Sequence, residues 1–288
     1  MNNKARSTVL ACIDGSAYNE SVVDYAAWVA RTVANPLKLL HNIERRQMPQ
    51  SDLSGNIGLG TRERLLEELT ELEAKSAKVS MQHGKQLLAE ATARASSQDV
   101  SEITSLQRHG SLADSLIEME EEIRVLVLGV RGEDHEHAQN HIGSQLETVI
   151  RNMHRPVLIV NSPFEAPPQR IMLAYDGSES AKKALEMVAT SPLYKGITCH
   201  VVHVTKSEQN EDALLTEAAE RLKGVGLTTQ TASLQGEVEP TLMDYRTQHN
   251  IDMTVMGAFG HSRLRELLFG STTIKMLCHS KVPLLLLR

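Results

Sequence analysis

This sequence predicts a doubly wound α/β architecture, built twice in tandem around mostly parallel five-stranded sheets. Three observations carry the prediction. Short apolar runs of strand length alternate with segments whose apolar residues recur at helical spacing, the pattern of parallel strands joined by crossover helices. An apolar strand leading into Asp-Gly-Ser occurs twice, at Asp14-Gly15-Ser16 and Asp176-Gly177-Ser178. A Gly-Ser step followed by a proline thirteen residues after its glycine also occurs twice, as Gly143-Ser144 with Pro156 and Gly270-Ser271 with Pro283.

Taken in order, residues 8–13 and 171–175 read as the first strands of the two copies. Each is followed by a helix with apolar positions one turn apart: Val22, Ala26 and Val29 in the first copy, Ala181, Leu185 and Val188 in the second. Ser16 and Ser178 stand where helix N-caps are expected. Residues 37–41 and 198–203 read as second strands, at the same distance from their Asp-Gly-Ser. Residues 125–129 match 253–257 as a later strand ending in glycine. Pro156 and Pro283 open the last strands, a position where no ladder hydrogen bond is lost. Those strands are rich in Val and Leu, and pairing edge to edge would pack the copies as a pseudo-dimer. The turn-like stretch 161–168 is the linker, giving domains of residues 1–163 and 164–288.

The copies differ in the middle, where the first is longer. Residues 47–60, with three glycines and a proline, read as a loop. From Thr61 on, Leu65, Leu69 and Leu72, then Leu87, Leu88, Ala91 and Ala95, predict a long helix with Gly84 as a break. It is expected to cover the sheet, or else to present a docking surface to a partner.

With 288 residues the chain has room for two cores. A net charge of −6 argues against a protein that mainly grips nucleic acid. No apolar run reaches the roughly 20 residues of a membrane span, and the N-terminal one is broken at Asp14, too short for a signal-peptide core. A cytoplasmic protein, with no membrane partner, is expected. Three widely spaced cysteines in apolar surroundings suggest reduced thiols rather than a disulfide or zinc framework.

Chemistry is expected at Gly257 to Thr273, where Gly257 and Gly260 follow an apolar strand and Gly270-Ser271-Thr272 precedes a helix. Glycines allow positive φ and close backbone approach. A Gly-Ser step opening a helix aims N–H groups and a positive dipole end at an anion. If the first and fourth strands of a copy are neighbours, Asp176 lies across one crevice from this nest. A nucleotide would then fit with its phosphates at Gly260, Gly270, Ser271 and Thr272. Asp176 would meet the ribose or a phosphate-bound Mg²⁺, and the base would lie near Val204.

The spacing G-2x-G-9x-G-[S/T], with an Asp ending the first strand, resembles the ATP-binding class of the universal stress protein family. The two-copy layout is similar to its tandem members over essentially the whole chain. The resemblance implies a Rossmann-like fold and ATP as the ligand, with or without Mg²⁺. It also implies a role as a stress-response regulator or sensor. In the family the motif holds the phosphates, the Asp lies at the nucleotide, and a residue ending the second strand contacts adenine. By motif these are Gly257, Gly260, Gly270, Ser271, Asp176 and Val204, with Thr272 beside them.

The first copy departs from the motif. Gly129 and Gly132 keep their spacing, but ten residues precede Gly143-Ser144. They include Glu133, Asp134 and Glu136, where the second copy has Arg263 and Arg265. Asp14, Asn42, Gly129, Gly132, Gly143 and Ser144 therefore form a weaker second site, since carboxylates repel a triphosphate. His135, His137 and His141 lack a preorganising metal spacing, so no metal site is expected. His41 and His203 read as satisfied core histidines. There is no Walker A sequence and no nucleophile paired with a base, so at most slow hydrolysis or self-phosphorylation is expected. A ligand-free scaffold working through the pseudo-dimer, with or without further homo-dimerisation, is the competing reading. An adenylate-forming enzyme fits less well, because His141-Ile142-Gly143-Ser144 lacks the final His of H-I-G-H and follows the wrong strand.

Overall fold

The strand-length apolar runs do form strands, and the intervening repeats form helices. The computed structural model describes residues 7–44, 59–132, 144–205, 212–258 and 271–288. The first half contains β1 (Thr8–Cys12), α1 (Asn19–Thr32), β2 (Leu37–Ile43), α2 (Leu59–Ser96), β3 (Ile103–His109), α3 (Leu112–Glu118), β4 (Ile123–Gly129), α4 (Ser144–Asn152) and β5 (Val157–Val160). The second contains β6 (Arg170–Ala174), α5 (Glu179–Thr190), β7 (Thr198–Thr205), α6 (Asp212–Lys223), β8 (Thr228–Gln235), α7 (Val238–Gln248), β9 (Met253–Gly257), α8 (Ser271–His279) and β10 (Leu284–Leu287).

The two five-stranded sheets join into one. Strand order is β3-β2-β1-β4-β5-β10-β9-β6-β7-β8, parallel within each half. The halves meet where β5 and β10 pair antiparallel, with Leu158 opposite Leu285. Both strands are buried at every position, which is why their sequences show no polar alternation. Edge pairing between the copies is thus the pseudo-dimer junction. The outer strands β3 and β8 are half-exposed and polar, and sequence periodicity leaves them unassigned.

Alternate strand residues feed two apolar layers running across both halves. Val9, Val127, Leu158, Leu173, Val255 and Leu285 pack under α1, α2, α5 and α6. Leu10, Leu126, Ile159, Met172, Met256 and Leu284 pack under α3, α4, α7 and α8. The linker residue Phe164 rests its ring edge-on against Tyr25 of α1, 4.7 Å between centroids.

Each half ties its first two helices together with the same ion pair. Arg94 of α2 donates to both carboxylate oxygens of Asp24 on α1, at 2.8 and 2.7 Å. Arg221 of α6 does the same to Glu186 of α5, at 2.9 and 2.6 Å. Asp24 is buried and Glu186 is exposed.

Two expectations need correction. Helix α2 runs unbroken through Gly84. A Cβ there would come within 2.2 Å of the His41 ring and the Gln107 amide, so the glycine answers close approach rather than a break. Ser16 is not an N-cap: α1 begins at Asn19 after Tyr18, with no side-chain cap. Ser178 is one, accepting from the Ala181 N–H at 3.2 Å. Cys12, Cys199 and Cys278 are free thiols, and burial pushes Cys199 up to about 12, so it stays protonated.

One buried imidazole makes stability pH-dependent. His200 on β7 accepts or donates at Nδ1 with the Tyr245 hydroxyl of α7, 2.9 Å away, and the His249 ring stacks on Tyr245. Burial, then His249 and Arg170, hold the His200 pKa below its ordinary value. The folded state therefore binds this proton less readily than the unfolded chain does. Stability is full above the unfolded value near 6.5 and falls as pH drops toward the lower folded value. Urea midpoints measured from pH 7 to 5 should decline, and His200→Leu should flatten that decline. An unchanged slope would refute the assignment.

Candidate functional site

The neighbours required by the sequence reading are neighbours. β1 pairs with β4 and β6 with β9, each pair parallel, and strand order reverses at both. Two crevices therefore open beyond the carboxyl ends of the strands, one per half, where open α/β sheets take ligands.

In the first half Asp14 follows β1 and Gly132 follows β4. A Cβ on Gly132 would lie 3.5 Å from Asp14 Oδ2, so the two residues face each other across the crevice. The Ser16 N–H donates to Asp14 Oδ1 at 3.0 Å, and the Ser178 N–H donates to Asp176 Oδ1 at 3.0 Å. These Asx turns hold both carboxylates in the same pose over the strand ends. Ser16 Oγ is buried without a hydrogen-bond partner among the described residues, beside Gly129.

His41, half-buried, and His203, buried, each make a hydrogen bond through Nδ1, and these bonds position the site. His41 Nδ1 lies 2.8 Å from the Ile13 carbonyl, and His203 Nδ1 lies 2.8 Å from the Tyr175 carbonyl. Each imidazole pins the residue just before an Asp-Gly-Ser turn to the end of the second strand. The common offset of these histidines from the repeated Asp was the sequence signal for this role.

The glycines divide by physical cause. Positive φ falls at Gly177 (72°), inside the turn, and not at Gly129, Gly132 or Gly257. A Cβ at Gly257 would meet Ser180 Oγ at 2.5 Å and Ala181 N at 2.7 Å. Gly257 is thus a packing glycine that lets the start of α5 close onto β9, and positive φ is not its reason. Ser144 and Ser271 are the first residues of α4 and α8, so both Gly-Ser steps lead into helix N-termini. Thr272 is half-buried on α8.

Asn42 lies within β2, and its side chain is occupied: it donates to the Gly110 carbonyl and accepts from the Ser115 hydroxyl at 3.0 Å. Val204 lies within β7 and packs on the second apolar layer. Gly143, Gly260 and Gly270 lie outside the described residues. So do Glu133, Asp134, Glu136, Arg263, Arg265 and the histidines 135, 137 and 141. Among the described residues there is no cluster of metal-ligating side chains, and no helix is long and apolar enough to cross a membrane.

Known proteins share this layout. The model of the universal stress protein family matches residues 5–161 and again residues 168–288. A universal stress protein of Synechocystis, Slr1230, is 35% identical over 285 residues, which is 97% of this chain and 99% of that protein. The crystal structure of a universal stress protein from Archaeoglobus fulgidus superposes with a TM-score of 0.72 at 19% identity, covering 100% of this chain and 99% of the other. A functionally unknown Pseudomonas aeruginosa protein, PA1789, gives 0.61 at 15% identity, covering 99% and 94%. With both halves matched separately and a relative aligned almost end to end, the chain belongs to the universal stress protein family, as a member with two domains in tandem.

Proposed function

We propose that the crevice between β6 and β9 binds an adenine nucleotide, ATP with or without Mg²⁺, and that the chain works in the cytoplasm as a stress-response regulator or sensor. The observation that carries this reading is the Asp176 carboxylate, fixed by the Ser178 N–H at the strand-order reversal. In the sequence a Gly-Ser step leads into α8, the helix that follows β9. Asp176 meets the ribose or the metal, and Gly260, Gly270, Ser271 and Thr272 take the phosphates. Gly257 shapes the wall, and the base lies toward Val204. Asp14, Asn42, Gly129, Gly132, Gly143 and Ser144 form the weaker site. There the Asn42 side chain is already engaged, but the buried Ser16 hydroxyl adds a donor.

Calorimetric titration of ATP·Mg²⁺ into the full chain tests the reading. Asp176→Asn keeps the acceptor of the Asx turn and removes the charge. Gly270→Glu puts a carboxylate into the phosphate nest. Each is expected to weaken binding by about tenfold or more, and undiminished affinity in Gly270→Glu would sink the proposal. The antiparallel β5–β10 junction favours a second reading, a nucleotide-independent scaffold. Protein that purifies nucleotide-free and shows no thermal shift with ATP would support that one instead.

A further inference from the structure

Helix α2, at 38 residues, behaves differently along its two halves. From Gly84 onward it lies on the sheet, with Gly84, Leu87, Leu88, Ala91 and Ala95 buried. Residues 67–79 are exposed apart from half-buried Leu69, a stretch about 20 Å long at 1.5 Å per residue. Within it Leu72 is 57% exposed and Val79 is 64% exposed. A lone exposed leucine means little, but these belong to a pattern.

Leu69, Leu72 and Val79 fall on one side of the helix, with Ser76 between the last two, and make one short, narrow apolar stripe. At 100° per residue this stripe sits about 90° around the helix from the face that Leu87, Ala91 and Ala95 turn to the sheet. It is a second apolar face, and the sheet cannot cover it by continuing the first. Charge changes sign along the same stretch. Glu67, Glu68, Glu71 and Glu73 come first, and Lys75 and Lys78 follow.

We propose that this stripe is a dimerisation seam on which a second copy of the chain lays the same helix antiparallel. A parallel pair would set acid beside acid. An antiparallel pair about residues 70–71 brings Leu72 of each copy against Leu69 of the other. Glu68 and Lys75 lie on the same flank of the stripe, so the two-fold axis places each beside the other's counterpart, twice over. Among the described residues Lys75 makes an exposed i,i+4 contact with Glu71 at 3.7 Å, which is weak enough to give way. The central edges β5 and β10 are already spent on each other, and the outer strands are polar. A seam this short buries well below the roughly 1,600 Å² of a standard interface, so the dimer is weak and concentration-dependent.

Sedimentation velocity of the full chain over a micromolar concentration series tests this. Wild type should show reversible dimerisation, and Leu72→Glu should be monomeric throughout. Glu68→Lys and Lys75→Glu should each raise the dissociation constant about tenfold, and the double variant should return to wild-type behaviour. Circular dichroism should be unchanged in all four, since these side chains are exposed. Three results would overturn the proposal: monomeric wild type, a dimer untouched by Leu72→Glu, or a double variant as weak as the singles. The first is expected if another segment of the same chain covers the stripe.

Discussion

Arg94→Met is expected to lower the free energy of unfolding by about 3 kcal/mol, the low end for removing one partner of a buried ion pair. Asp24 is only 7% exposed, and its two bonds to Arg94 are the main compensation for its burial. Without Arg94 the carboxylate keeps the Gln98 amide but no cation on α2. The equivalent change in the second half, Arg221→Met, should cost only about 0.5 kcal/mol, because the Glu186 side chain is 55% exposed and falls back on water. Urea denaturation of both variants makes the comparison within one protein. Removing both charges, as Asp24→Leu with Arg94→Met, should recover most of the loss. Equal losses at Arg94 and Arg221 would mean that burial does not set the value of the pair.

Gly257→Ala is expected to destabilise the chain by about 2 kcal/mol through overpacking. The added methyl would meet backbone as well as side chain at the start of α5, with the Ser180 carbonyl carbon at 2.7 Å. Backbone cannot rotate away as a flexible side chain can. Gly129→Ala, its counterpart, has nearest contacts of 3.3 and 3.4 Å and should cost well under half as much. Thermal melting of the two variants decides the matter, and a Gly257→Ala melt indistinguishable from wild type would show that α5 yields easily. The result also governs how nucleotide binding is tested. Lost affinity in a Gly257 variant would mix wall collapse with any effect on the ligand, whereas Gly270→Glu leaves Gly257 itself unchanged.

How far the sequence could be read depended on burial. β5 and β10 are buried on both faces, so Val157 to Val160 and Leu284 to Leu287 announced themselves as uninterrupted apolar runs. β3 and β8 face water along one edge and carry Thr, Ser and Gln, so no periodicity marked them. Gly84 looked like a helix break because propensity disfavours glycine within a helix. Packing against His41 outweighed propensity there. Ser16 and Ser178 occupy equivalent positions, yet only Ser178 caps its helix, because α1 begins two residues later relative to the turn.

The sequence by itself determined the duplication, the α/β class, the strands that meet at the junction and the Asp-Gly-Ser turns flanking each crevice. All of these are written as local patterns repeated at a fixed offset, and local patterns need no third dimension. Only the tertiary structure decided that the junction strands run antiparallel, with Leu158 opposite Leu285. It also decided that Asp24 and Arg94 repeat as Glu186 and Arg221, and that Gly257 serves helix packing. Each of these rests on residues distant along the chain, or on contacts whose geometry no spacing encodes. Contact distance and burial, which assign the value of an ion pair or the reason for a glycine, exist only once the chain is folded.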